Sequence, residues 1–414
     1  MRRKGRVWIA VALLATVGIG VGAITGLQAA RQSPLPARPP AKSDRTVTSN
    51  PKPATTPLQV NTPKVLPPET AQIVSSAGPN GLFQPTRGDV RLAVISDLNG
   101  PYGSTDYEPE VDKAIALLPF WQPDLAIAGG DMIAGQKLTL TDEQLQAMWA
   151  SFDEHVAAPL RQMQIPFGFT IGNHDGSGAG GASGFVFQRE RDAAAAYWQD
   201  ADRDPGLNFG DRADFPFYYS FMHDEIFFLV WDGSTAIIPP EKLAWVEETL
   251  ASPAAQNAKL RILVGHLPLY AVAQGRNAPG EVMTEADRLR AMLERYDVHT
   301  YISGHHHAYY PGQRGQLQLL HAGLIGSGPR PLIDSNAPPR KSLTVVDIDL
   351  DAAVTTRYTT YDMRSLELIE YAQLPRFLVG HNGIVLRRDV DGADLTVEER
   401  SLCTQRLSET LCTP

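Results

Sequence analysis

Five short apolar runs in this chain end alike: a glycine or another small residue, and then side chains able to hold metal ions. Residues 90–95 lead into Ser96-Asp97-Leu98-Asn99-Gly100, and residues 125–128 into Gly129-Gly130-Asp131. Residues 167–171 lead into Gly172-Asn173-His174-Asp175, residues 261–264 into Gly265-His266, and residues 298–302 into the segment Gly304-His305-His306-His307. Helical patterns separate them, near 110–118, 142–163, 240–250 and 285–296. Further strands are expected at 226–230, 343–349 and 354–358. Short apolar strands alternating with helices predict sheets covered by helices on their faces. Ligands of such sheets gather beyond the carboxyl ends of the strands. The pattern therefore constrains the chain to a fold that brings five strand ends to one place. Asp97, Asp131, Asn173, His266, His305 and His307 are the candidate ligands. Carboxylates, imidazoles and an amide oxygen together suit a pair of divalent cations better than one structural zinc.

Each motif is weak alone, because a strand ending in Gly-Asp is common and Asn-His-Asp is frequent in turns. Their order is far more specific. It resembles the calcineurin-like metallophosphoesterase family, whose pattern is Asp-x-His, Gly-Asp, Gly-Asn-His-Asp or Glu, Gly-His and Gly-His-x-His. The match runs from Val90 to His307, with the domain expected to extend to about Tyr361. The resemblance implies an α/β (α+β) fold, a four-layer β-sandwich flanked by helices. It implies two divalent metal ions, drawn from Mn, Fe, Zn or Mg. One would be held by Asp97, Asp131 and His307, with Asn99 where the family carries a histidine. The other would be held by Asp131, Asn173, His266 and His305. An amide oxygen is a harder and weaker ligand than imidazole, so the first metal should bind less tightly and lean toward manganese or magnesium. The family's purple acid phosphatases also lack that histidine, but use a tyrosine three residues after the Gly-Asp aspartate. Here that position is Ala134, and Tyr102, three residues after Asn99, is the candidate substitute.

The implied activity is hydrolysis of a phosphomonoester or phosphodiester by a hydroxide activated between two metals. His174 is expected to protonate the leaving oxygen or to act as a cation stabilising the transition state, with Asp175 either fixing its tautomer or serving as a helix cap or turn residue. The rival is a non-catalytic relative that keeps one metal and binds a phosphorylated ligand or a partner protein. Asn99 favours the rival; an intact His174-Asp175 pair argues against it.

Arg2, Arg3, Lys4 and Arg6 precede an uncharged apolar stretch from Val7 to about Ala30. That is the layout of a signal anchor, or of a cleaved signal with its site near Ala29. The positive-inside rule then leaves the remainder outside the cytoplasm. The expected organisation is a membrane segment at 1–31, a disordered Pro-rich linker at 32–87, the catalytic domain at 88–375 and an appendage at 376–414. A net charge of −9 without basic clusters in the body of the chain argues against nucleic-acid binding. A phosphorylated small molecule or envelope component is the expected substrate. Cys403 and Cys412 either pair or stay as two thiols. Four features stay open: Gly176–Gly184 as a substrate loop or a connector, Arg189, Arg191 and Arg276 as phosphate contacts or surface charges, His306 as a pocket or packed residue, and His321 as pocket lining or a core histidine.

Overall fold

The computed structural model describes residues 65–182, 184–351 and 354–414. The expected membrane segment, Val7 to Ala30, lies outside the described residues. Among those described, no helix is long and apolar enough to cross a membrane.

Two mixed sheets form the centre. The first has five strands in the order Thr355–Asp362, Ser342–Asp349, Val90–Ile95, Leu125–Ala128, Phe167–Phe169. Its last three strands run parallel, and the other two pair antiparallel. The second sheet has nine strands, in the order Phe377–Gly380, Gly383–Arg387, Tyr309–Arg314, Leu317–Ala322, Thr300–Ser303, Leu260–Val264, Ile226–Val230, Tyr218–His223, Asn208–Asp214. Its middle four are parallel.

Every residue of Val90–Ile95, Leu125–Ala128 and Ile226–Val230 is buried. A strand reads as an unbroken apolar run when both of its faces are covered. One core cluster joins Val94 and Ile127 of the first sheet to Phe221, Phe228 and Val264 of the second, so the sheets pack on one another. It continues into Leu117, Trp121 and Trp149 on the helices Pro109–Trp121 and Asp142–Phe152. A second cluster lies around the other face of the nine-stranded sheet, beneath Val246 and Leu293 of Pro240–Ala251 and Ala286–Arg295. Helix, sheet, sheet, helix is the expected layering.

Arg91 and Asp347 face one another across the register of the central antiparallel pair, 2.8 Å apart and both almost fully buried. Arg91 also donates to the carbonyls of Trp121 and Pro85. A buried charge is tolerated when its partner and its other donors are satisfied in this way. The pair fixes the strand register on which Asp97, at the far end of the same strand, depends.

Three details differ from the sequence expectation. The single helix expected over 142–163 contains one π-helical turn at Asp153–Ala157, just before Pro159, where the missing N–H interrupts the ladder. The linker's last residues are ordered: Pro68–Ser76 is a helix whose buried Thr70 hydroxyl donates to Ala116 O. Residues 377–387 add two strands to the edge of the large sheet, through the register Gly312↔Arg387, over a small core that includes Cys403. Cys403 is disulfide-bonded to Cys412.

Candidate functional site

The site forms where the carboxyl ends of the two parallel strand sets meet. Asp97, Asp131 and Asn173 follow strands of the first sheet; His266, His305 and His307 follow strands of the second. The chain turns so sharply there that Asp97, Asp131, His305 and His307 all adopt positive φ, at 49°, 56°, 63° and 52°. Such angles are uncommon outside glycine and collect at functional sites. Close approach explains two of the glycines. A Cβ on Gly304 would meet Asp97 Oδ2 at 2.5 Å, and one on Gly130 would meet His266 Nδ1 at 2.7 Å.

Each imidazole is held by one ring nitrogen, leaving the other for the site. His266 donates from Nδ1 to Gly129 O (2.8 Å), and His307 from Nδ1 to Gly328 O (3.0 Å). His305 donates from Nε2 to the Glu281 carboxylate (2.9 Å). Asn173 donates its amide to Gln136 Oε1 (2.8 Å), which turns its own oxygen the other way. That oxygen lies 2.9 Å from His266 Nε2 and 2.8 Å from His305 Nδ1. Asp131 Oδ2 is 3.3 Å from the same His266 nitrogen. Lone pairs crowd at this point.

A second group stands alongside. Ligand atoms of Asp97, Asp131 and His307 all lie within 4.8 Å of one another. His307 Nε2 is 3.2 Å from Asp97 Oδ1. Asp131 Oδ2, His307 Nε2 and Asn99 Oδ1 are all buried without a hydrogen-bond partner. Buried polar atoms are rarely left unpaired, and inward lone pairs with outward-anchored rings are how proteins present ligands to metals. The donor set therefore fits two divalent cations that share Asp131. Local charge agrees. Burial opposes ionisation of Asp131, but His266, His174 and the His174 amide outweigh it and hold the carboxyl well below its usual range. Burial works against protonation of His266 too, yet Asp131 and Asp97 push it up to about 9; the carboxylates call for positive charge. Burial lowers His305 to about 4, keeping that imidazole neutral.

A family model for calcineurin-like phosphoesterases matches residues 90–309, more than half of the 414. This chain belongs to that family. No curated protein matches it. Among solved structures, a purple acid phosphatase from yellow lupin (Lupinus luteus) seeds is 14% identical, covering 69% of this chain and 54% of that enzyme, with a TM-score of 0.48. GAP50, the anchor in the inner membrane complex of Plasmodium, is 15% identical over 68% of this chain and 87% of its own, with a TM-score of 0.40. The phosphopantetheinyl hydrolase of Mycobacterium tuberculosis is 15% identical over 58% of this chain and 90% of its own, with a TM-score of 0.33. These likenesses are too remote to transfer a substrate.

The family's motif residues converge, but their supports differ from expectation. Asp175 does not orient His174. Its carboxylate accepts the amides of Met132, Ile133 and Gly172, tying the Gly-Asp loop to the Gly-Asn-His-Asp turn. His174 instead meets Gly135 O through Nδ1 (3.1 Å), and its Nε2 faces Asp131 Oδ2 at 4.0 Å. Tyr102 sits as an exposed ring beside His174, centroids 4.9 Å apart. His306 is turned into the protein, accepting from Val272 N–H and donating to Glu281 O. His321 is a core histidine beside it, pushed down to about 3 by burial. Arg189 pairs with Asp142 on the surface. Arg191 is buried against Asp232 (2.8 Å) and between the rings of Phe185 and Phe217. Only Arg276 of the three reaches the site, at Glu281 and His305. The glycine-rich segment forms a small hairpin, Gly180–Gly181 with Gly184–Phe185.

Glu190 was not legible as a site residue, because it sits on the helix Gln188–Gln199 with no motif around it. Its carboxylate accepts the amides of Gln136 and Lys137 at 2.8 and 3.0 Å. The loop so held supplies both Gly135 O to His174 and Gln136 Oε1 to Asn173. Glu190→Ala is expected to lower kcat by about 10–100-fold, the usual effect of losing a support behind a ligand. Glu190→Gln, keeping one acceptor oxygen, should lose less than about tenfold by the same reasoning. Steady-state kinetics decide it; an unchanged kcat in Glu190→Ala would mean that the loop keeps its shape unaided.

Proposed function

We propose that this protein hydrolyses phosphate esters at a two-cation centre, with Asp97, Asn99, Asp131 and His307 around one ion and Asp131, Asn173, His266 and His305 around the other. The observation that carries this reading is the set of inward lone pairs on outward-anchored rings and carboxylates. Bound there, divalent cations supply an acidified water and neutralise charge gathering on the phosphoryl oxygens. The chain's own residues do the rest. His174, held at Nδ1 by Gly135 O, keeps its Nε2 toward the site and hands a proton to the departing oxygen. Asp175 keeps the two turns that carry Asp131 and His174 in register. Asn99 takes the place of the family's histidine, with a buried oxygen free to serve as a ligand. The rival reading, a non-catalytic binder, rests on that one substitution; the second donor group is complete without it.

The substrate is a phosphorylated small molecule or envelope component met outside the cytoplasm, with the Val7–Ala30 segment holding the protein to the membrane. Support comes from the basic N-terminal residues and from the Cys403–Cys412 disulfide, a bond that persists in oxidising compartments.

Removing and returning the metal tests the reading. Chelation is expected to abolish hydrolysis of an aryl phosphate monoester or diester, and manganese to restore it more fully than zinc. Two ions per chain by elemental analysis would accompany activity. One ion per chain with no activity under any metal would favour the binder.

A further inference from the structure

Two arginines border the site on its histidine side, and of the two only Arg276 has a carboxylate partner among the described residues. Arg276 reaches Glu281 Oε2 (2.6 Å) and His305 Nε2 (3.3 Å). Glu281 also accepts from His305, so its charge is divided. Arg330 is attached to the other ligand: its amide donates to His307 O (3.0 Å). Its guanidinium has no hydrogen bond or ion pair among the described residues, although it is half-buried and its Nε is fully enclosed. The segments carrying the two residues lie side by side. Ala273 bridges to Leu332, and Gln274 N–H donates to Pro331 O (2.9 Å). A Cβ on Gly275 would meet Arg330 Nη1 at 2.9 Å.

Two guanidinium groups beside one carboxylate, which is already taken by Arg276 and His305, leave a surplus positive charge at the edge of the centre. A planar fork of donors with no protein acceptor matches a phosphate or carboxylate. The cations at the centre would neutralise the scissile phosphoryl group, so this fork serves a different anion. We propose that Arg330, with Arg276 beside it, binds a second anionic group on the substrate, next to the phosphoryl group that is cleaved. The inference rests on the phosphoesterase reading. A diphosphate is the simplest such substrate. Water would add to one phosphorus as the bridging P–O bond breaks. The departing phosphate keeps the electron pair and takes the proton from His174, while the attacking water sheds its own proton to solvent, from which His174 is reprotonated.

The test compares the full-length metal-loaded protein with its Arg330→Met and Arg330→Lys variants. The probes are 4-nitrophenyl phosphate, inorganic pyrophosphate and phosphoglycolate. The expected result is that Arg330→Met lowers the kcat/KM ratio of pyrophosphate to aryl phosphate by about tenfold or more, the worth of one charge-assisted contact. Lysine should recover part of it. A ratio that falls for phosphoglycolate alone assigns the second group as a carboxylate and also supports the pair. Ratios unchanged for both anionic probes overturn the proposal. Calorimetry adds a readout independent of turnover: Arg330→Met should weaken pyrophosphate binding by about tenfold and orthophosphate binding less. If the wild type hydrolyses none of the probes, the hydrolase reading fails, and calorimetry alone decides the anion site. Pyrophosphate bound equally by wild type and Arg330→Met overturns it there.

Discussion

Asp131→Asn is expected to lower phosphoester hydrolysis by about a thousandfold or more, the several kcal/mol that metal ions contribute to such a transition state. Asp131 is the one side chain common to both donor groups. Oδ1 accepts the His174 amide at 2.8 Å, while Oδ2 is buried, unpartnered and 3.3 Å from His266 Nε2. Asparagine keeps the volume and loses the charge. Whichever way its amide turns, it places N–H groups either against the His174 amide or among the inward lone pairs. Both cation positions should weaken together, and elemental analysis should show metal content falling with rate. A variant that keeps two ions per chain and stays within about tenfold of the wild-type rate would remove Asp131 from the shared position.

His174→Ala should behave differently. Its backbone amide, which holds Asp131, survives the substitution, so metal content should not change. What disappears is a ring fixed at Gly135 O with Nε2 toward the site. Proton donation contributes about 10²–10⁴-fold, and more when the leaving group is a poor one. The loss should therefore be large for an alkyl phosphate and much smaller for 4-nitrophenyl phosphate, whose leaving oxygen needs no proton. Initial rates on the two esters measure this. Equal losses on both would show that His174 acts on the phosphoryl charge and donates no proton to the leaving group.

The candidate metal ligands were readable as a group because each follows a strand within a few residues, so strand and candidate share one local motif. Asp97 after 90–95 and His266 after 261–264 needed no knowledge of distant contacts. The layers were readable for a similar reason: strands buried on both faces, such as 226–230, are apolar throughout. What escaped lay in long-range geometry. Asn208–Asp214 is an edge strand with four exposed and three half-buried residues, so no alternation marks it, and Tyr218–His223 follows a turn too short to announce a hairpin. Glu190, Gln136, Glu281 and Arg330 hold or flank the candidate ligands from other elements. A lone polar residue on a helix or loop carries no sign of what it will meet. Of the two roles expected for Asp175, its contacts match the cap and turn role and not the orienting of His174, because adjacent residues on a tight turn point apart. Its oxygens find three amides instead.

The left-handed backbone at Asp97, Asp131, His305 and His307 sets selection for robustness against selection for chemistry. Non-glycine residues pay about 1–2 kcal/mol to occupy that region, and glycine almost nothing. At all four positions glycine would suit the backbone's path better than the native residue does, but at Asp97 and Asp131 it would also strand the buried amides of His305 and His174. The carboxylates at the centre therefore double as fasteners, and a variant library sorted only by heat resistance would have less reason to discard them than their strained backbone suggests.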